Sequence, residues 1–422
     1  MTGSSEYQPP QNRSPQGQRL QDAWNHATTP VGLPELAWRP ALAAQLSKSW
    51  PSAREEEWKY SPISQIQAYQ WSPVADEVRF ELPEGVEACR MSAVSGSVLD
   101  RVKSLMNIPP AHRFNAMAWI MDQDVWVIRV PRGLSPSAPL RVFAPRGSEG
   151  SWSCAAWILL VEAEAHLSVV EYYGPQASAT SWGARFFLES GSAVEHLRVQ
   201  SAASDSWGFA ESIALVGENA RYVQTQISSG GKMCREDAVV RLQGRGAEAH
   251  LDAVFMARQE QVLDHRTNID HEVGDTQSHQ LYKGLLADSA RGIFNGRILI
   301  RRGAVGANAA QLSQNLLLSP QAEINTKPEL QIDADDVKAA HGAAVGQLDA
   351  EHLFYLQSRG ISEEKAKEVL LLGFALEALR GLRDPELLKI GNSQIEAEAN
   401  LMLRTRKSEA LASESSRSGK LP

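Results

Sequence analysis

His265, His271 and His279 form the densest histidine group in the chain. Their separations are even, so on one straight strand all three side chains would share a face. Asp264, Asp270, Glu272 and Asp275 stand among them. Imidazole and carboxylate together suit zinc or iron, which makes His265 and His271 candidate metal ligands. The same residues also fit polar turns on a strand surface, and Gly274 interrupts the run. A second group, Gln331-Ile332-Asp333-Ala334-Asp335-Asp336, offers paired carboxylates. Parallel β-helices that cleave acidic polysaccharides use aspartates in this way. Asp-rich turns arise equally because Asp bonds its own backbone.

Other chemistries lack their signatures. The sequence has no GxxxxGK[ST] and no GxSxG, and Gly244-Arg245-Gly246 does not continue into GxGxxG. No nucleotide site and no activated serine is assigned. Cys89, Cys154 and Cys234 are far apart and odd in number. They form neither a CxxC pair nor a disulfide framework, which fits a reducing cytoplasmic compartment.

The elements that must carry these residues belong to an ordinary globular chain. It has 422 residues, 43% apolar and 22% charged, with 42 Lys+Arg against 50 Asp+Glu and a net charge of −8. That balance argues against bulk nucleic-acid binding. The longest apolar run, Cys154 to Val161, falls far short of the ~20 residues a membrane helix needs. Residues Met1 to Gln18 lack the basic and apolar segments of a secretory signal.

Composition divides the chain into five parts. Residues 1–34, rich in Pro, Gln and Ser, predict a disordered arm. Residues 35–120 predict a mainly helical region, with Leu42, Leu46 and Trp50 on one helix face. Residues 121–347 predict strands separated by Gly, Ser and Asn turns. Residues 348–408 predict a helical domain, its first two helices capped by Asp349 and Ser362. A third helical segment is expected near Ile395 to Thr405, and residues 409–422 predict a disordered tail.

The strand region repeats. Similar units begin at Val161, Leu188, Leu215 and Leu242, each 27 residues after the last. Their sixth positions are His166, Ala193, Ala220 and Ala247. Such a period signals stacked units that bury their faces only against neighbours, here a β-solenoid or repeated hairpins.

Several motifs carry a resemblance. They are Arg54 to Tyr60; Asp264-His265 with Thr267; Gly292-Ile293-Phe294-Asn295-Gly296; Lys327 to Ile332; Asp335-Asp336-Val337; His341-Gly342-Ala343; and Phe354-Tyr355-Leu356-Gln357-Ser358-Arg359-Gly360-Ile361. In order and spacing this set resembles the SufB/SufD family of iron–sulfur cluster assembly proteins, from about residue 120 to 380. The resemblance implies a right-handed parallel β-helix core flanked by N-terminal and C-terminal helical regions. It implies a non-catalytic scaffold subunit of an ATPase-driven SufBCD-type complex. The partners would be a SufB-like subunit, met through the β-helix, and a SufC-like ATPase, held by the C-terminal helices. No cofactor would be bound stably by this chain alone; an iron–sulfur cluster would lie transiently at the SufB interface.

In its details the chain resembles the SufD branch of that family. Gly342, not Glu, follows His341, and Ser313 stands near the position of the sulfur-accepting SufB cysteine. No cysteine lies after Cys234. Many SufD-like chains carry a cysteine two residues before the histidine, where this one has Ala339. The resemblance makes His341 the candidate at the cluster or iron interface. It makes Phe354, Tyr355, Arg359, Gly360 and Phe374 the candidates for docking the ATPase. The competing readings are a stand-alone metal-dependent β-helix enzyme and a homodimeric SufB-like scaffold.

Overall fold

The computed structural model describes residues 51–418, apart from 52–53, 68–70, 122–123, 175 and 177, and only the backbone from residue 404. The 1–34 arm and the Leu42–Leu46–Trp50 stripe lie outside the described residues.

The centre is a β-solenoid whose strands alternate between two sheets. Sheet I orders its strands, from the C-terminal end, as Glu323–Ile332, Arg291–Ile300, Val262–His271, Met233–Leu242, Trp207–Val216, Ala179–Leu188 and Ser151–Val161. Sheet II runs from Lys338–Gly346 through Asn308–Leu317, Gln277–Leu286, Glu248–Ala257, Arg221–Gly230 and Ala193–Ala202 to His166–Tyr173. All these neighbours pair in parallel. Three short strands from the region read as helical, Ser72–Ala75, Arg79–Glu81 and Glu87–Arg90, add to the N-terminal end. Two of them pair antiparallel, which closes that end of the stack.

The 27-residue period is real but not constant. In register, Val161 pairs with Leu188, Leu188 with Val216 and Val216 with Leu242. One extra residue therefore enters the unit after Leu188 and one fewer the next. As a result the true column of small residues is Ala165, Ser192, Ala220 and Ala247, each almost fully buried. His166 and Ala193 sit one place further along, where His166 pairs with Ala193 and Ala193 with Arg221.

One corner of every turn needs a left-handed residue. Glu164, Gly191, Asn219, Gly246, Asp275, Gly306 and Asp336 all have positive φ there. Their amides donate along the stack, for example Gly246 N to Asp275 O and Gly306 N to Asp336 O. Asn and Asp tolerate this conformation better than other side chains. A Cβ on Gly246 would lie 2.2 Å from Asn219 Oδ1, so a side chain at that level would have to displace the Asn219 amide.

Helices cover the outside. α1 (Ile63–Gln67), α2 (Gly96–Met106) and α3 (Arg113–Met121) cover the early strands of sheet I. This is why Ser151–Val161 is buried on both faces: Trp157 and Leu159 point into the solenoid, Ile158 and Leu160 under the helices. Trp58 anchors the Arg54–Tyr60 segment between His112, Phe114 and Phe209, with Arg235 4.4 Å above its ring.

α4 (Ala350–Ser358), α5 (Glu363–Leu376) and α6 (Pro385–Ser418) follow the solenoid. Asp349 Oδ1 accepts from the amides of Glu351 and His352, and Ser362 Oγ from Lys365 N, the caps read from sequence. Leu371, Ala375, Leu379, Leu387 and Ile395 pack on the outer face of sheet II. α6 begins earlier than the predicted third segment and runs past Glu409, where a disordered tail was expected. No Gly or Pro stands between Pro385 and Gly419 except Gly391, so nothing local stops the helix.

Candidate functional site

The histidine group does not converge. His265 and His271 share the inward face of Val262–His271, but a turn then carries His279 to sheet II. His271 Nδ1 and Nε2 lie 2.7 and 2.8 Å from Thr276 Oγ1 and Ser278 Oγ. His265 lies between the rings of Phe255 and Tyr282. His279 faces outward, stacked on His250 and in contact with Arg380. Burial holds His265 down to about 3 and His271 to about 4, the second opposed by Asp270. Among the described residues no group of three or more His, Cys, Asp or Glu is arranged to hold a metal ion. The aspartate cluster is also accounted for: Asp336 takes the last place in the left-handed corner column.

The C-terminal end of the solenoid is open. Glu323–Ile332 and Lys338–Gly346 are the last strands of their sheets, each with one unpaired edge among the described residues. Their burial drops sharply: sheet positions that are buried in Gln277–Leu286 are half-buried or exposed here. Val305, Ile332 and Val345, in the last turns, are 48%, 43% and 50% exposed. His341 sits on the last strand of sheet II, beside Gln311 in register. It shares the inward face with Ala339, which packs on the core, yet it is itself exposed at the mouth. Ser313, fully buried, accepts from Asn315 Nδ2 at 3.0 Å one turn earlier.

The helix pair has two faces. α4 has no buried residue; Phe354 and Tyr355 are 72% and 57% exposed. Arg359 caps α4 through its backbone and sits 5.3 Å over the Tyr355 ring. Gly360 follows with φ +83°, ending the helix as a left-handed residue. Phe374 does not share this surface. It packs toward the solenoid, with Lys283 Nζ 3.9 Å above its ring, and Lys283 pairs with Glu377 at 2.5 Å.

The interior holds a network that sequence reasoning missed. Arg198 Nε lies 2.6 Å from Glu171 Oε1, and Arg198 Nη1 donates to Glu236 at 2.9 Å. His196 Nε2 is 3.2 Å from Glu171, and Trp182 Nε1 donates to Glu171. All are buried inside the solenoid. Burial opposes ionisation of Glu171, but Arg198 and His196 outweigh it and hold the carboxyl at about 2. Glu236 is pushed up to about 7 because burial outweighs Arg198. Period-2 parity would have found these residues once the register was known. Cys154 and Cys234 are buried and Cys89 is half-buried; burial pushes the Cys234 thiol up.

With the geometry in hand, comparison is decisive. Residues 145–374 match the family model for the SUF system FeS cluster assembly SufBD core domain. The chain belongs to the SufB/SufD family. It is 28% identical to the Escherichia coli iron–sulfur cluster assembly protein SufD over 393 residues, 86% of this chain and 93% of that one. It is 28% identical to the chloroplastic protein ABCI7 of Arabidopsis thaliana, over 81% of each. A segment of 133 residues, 32% of this chain and 30% of its relative, is 41% identical to SufD of Bacillus subtilis. The SufB/SufD core thus spans most of the solenoid together with α4 and most of α5, and the chain is SufD-like. No helix of the described residues is long and apolar enough to cross a membrane.

Proposed function

We propose that this chain is the non-catalytic, SufD-type scaffold subunit of a cytoplasmic iron–sulfur assembly complex. The open end of the solenoid pairs with a SufB-like subunit. The exposed Phe354–Tyr355 surface of α4, with Arg359 and Gly360 at its end, docks a SufC-like ATPase. The observation that carries this reading is the uncovered end of the solenoid, with two strand edges, three exposed apolar side chains and the exposed His341. Unpaired strand edges are ready pairing surfaces, and membership of the SufB/SufD family supports a partner of that kind.

In this reading His341 faces the shared interface, and its imidazole is chemically suited to iron delivered there as cargo. The cluster is substrate rather than a resident group. ATP-driven movement of the docked ATPase reaches the interface through α5, which packs directly on sheet II.

Native mass spectrometry after co-expression with SufB-like and SufC-like proteins tests this. The expected particle holds one copy of this chain, one SufB-like and two SufC-like subunits. Replacing Asp349 to Leu379 should release one ATPase. A chain that stays alone and folded beside both proteins defeats the proposal.

A further inference from the structure

Beyond the charged cluster, the solenoid interior stays polar as far as the mouth. Glu236 is the register neighbour of His265. Thr267, two residues on, donates to Gln280 Oε1 at 2.6 Å across the interior. Gln280 neighbours Gln311, and Gln311 neighbours His341. Neighbouring strands are about 4.8 Å apart, so Glu236 and His265, Gln280 and Gln311, and Gln311 and His341 are each one strand apart, while Thr267 and Gln280 bridge the two sheets. His265, Gln280 and Gln311 are at most 2% exposed, whereas His341 is open to solvent.

Many of these buried atoms have no partner in the protein. They are Glu236 Oε1, both ring nitrogens of His265, Gln280 Nε2 and both amide atoms of Gln311. Each such atom left bare costs about 1–3 kcal/mol. Native interiors meet that need with ordered water, each molecule making about three hydrogen bonds. Here the unpartnered atoms run from sheet I across to sheet II and on to the register neighbour of an exposed residue.

We propose that the interior from Glu236 to His341 binds a file of water molecules, and that the Glu236 carboxyl exchanges its proton with solvent along it. The proton leaves the carboxyl for the first water. Each water passes one proton on, and solvent at the His341 mouth receives one, so nothing is oxidised or consumed. Glu171 and Arg198 face Glu236 from sheet II, as do Tyr173 and Tyr282, while Cys234 and His265 stand beside it on sheet I. Burial raises Glu236 to about 7 against the pull of Arg198.

The test uses the full chain alone, so its failure leaves the family assignment untouched. Water-oxygen relaxation dispersion reads long-held internal waters. The amplitude should fall in Gln311→Leu and stay at the wild-type level in Gln331→Leu, an exposed position. Infrared spectroscopy follows the protonated carboxyl band that Glu236→Gln removes. On mixing with heavy water, that band should shift roughly tenfold more slowly in Gln311→Leu, the cost of about one hydrogen bond. Gln311→Met, closer in shape, serves if the leucine variant does not fold. Unchanged dispersion, or an unchanged exchange rate in a folded variant, overturns the proposal.

Discussion

His341 and Gln311 are direct register partners on the last two strands of sheet II, one exposed and the other buried. The pair marks the point where the solenoid stops covering itself. A function carried by His341 can therefore be removed without disturbing the core.

His341→Ala should leave stability within about 0.5 kcal/mol of wild type, as expected for an exposed side chain. Cluster formation by the reconstituted complex should fall about tenfold or more if the imidazole meets iron. Urea denaturation and cluster absorbance check the two halves. An undiminished rate would remove His341 from the chemistry.

Phe354→Ala and Phe374→Ala should separate docking from folding. The first is exposed, so the expected loss is in ATPase binding, by tenfold or more for a central aromatic contact, with thermal stability retained. The second packs under Lys283 and should lower stability by about 2 kcal/mol or more. Calorimetry of binding and of unfolding checks both, and a reversed pattern would contradict the assignment of faces.

Arg198→Met should be severe. It leaves Glu171 and Glu236 buried without the cation between them. Breaking one partner out of a buried ionic cluster costs about 3–5 kcal/mol. Denaturant titration measures it, and a loss below 1 kcal/mol would show that these carboxyls are neutral in the native state.

His265 makes stability depend on pH. Its folded value is lowered to about 3, whereas an unfolded histidine titrates near about 6.5. Between those values the unfolded chain binds the extra proton, so stability falls as pH falls. Each unit below about 6.5 costs up to about 1.4 kcal/mol from this residue. The wild type should therefore lose melting temperature relative to His265→Gln as pH drops from about 6 to about 4. Parallel curves would mean that His265 is not held neutral.

The periodicity announced the solenoid, and Asp349 and Ser362 announced their helices, because both signals are local. Register was not legible. One extra residue after Leu188, cancelled by one fewer in the next unit, moves the Trp207–Val216 strand off the constant 27-residue count, and on a strand a shift of one reverses in and out. Glu171, His196, Arg198 and Glu236 gave no signal as a group because they stand on three strands, and only the closure of the two sheets brings Glu236 to Arg198. The sequence read Phe374 with Phe354 because both lie in apolar helix faces; only packing distinguishes the face pressed on sheet II from the one left in solvent. His279 was grouped with His265 and His271 by proximity along the chain, which a single turn at Gly274 undoes.

α6 returns from the far end of the chain to the first strands. Asp384 accepts from Ser168 at 2.6 Å, Glu195 accepts from the Arg383 amide, and Arg141 pairs with Glu386. During synthesis, the outer face of His166–Tyr173 and Ala193–Ala202 emerges some two hundred residues before the helix that seals it. Contacts of such long sequence separation form slowly, and exposed apolar faces in the interval invite misassembly. Nascent chains halted before Pro385 should therefore be the ones that chaperones hold.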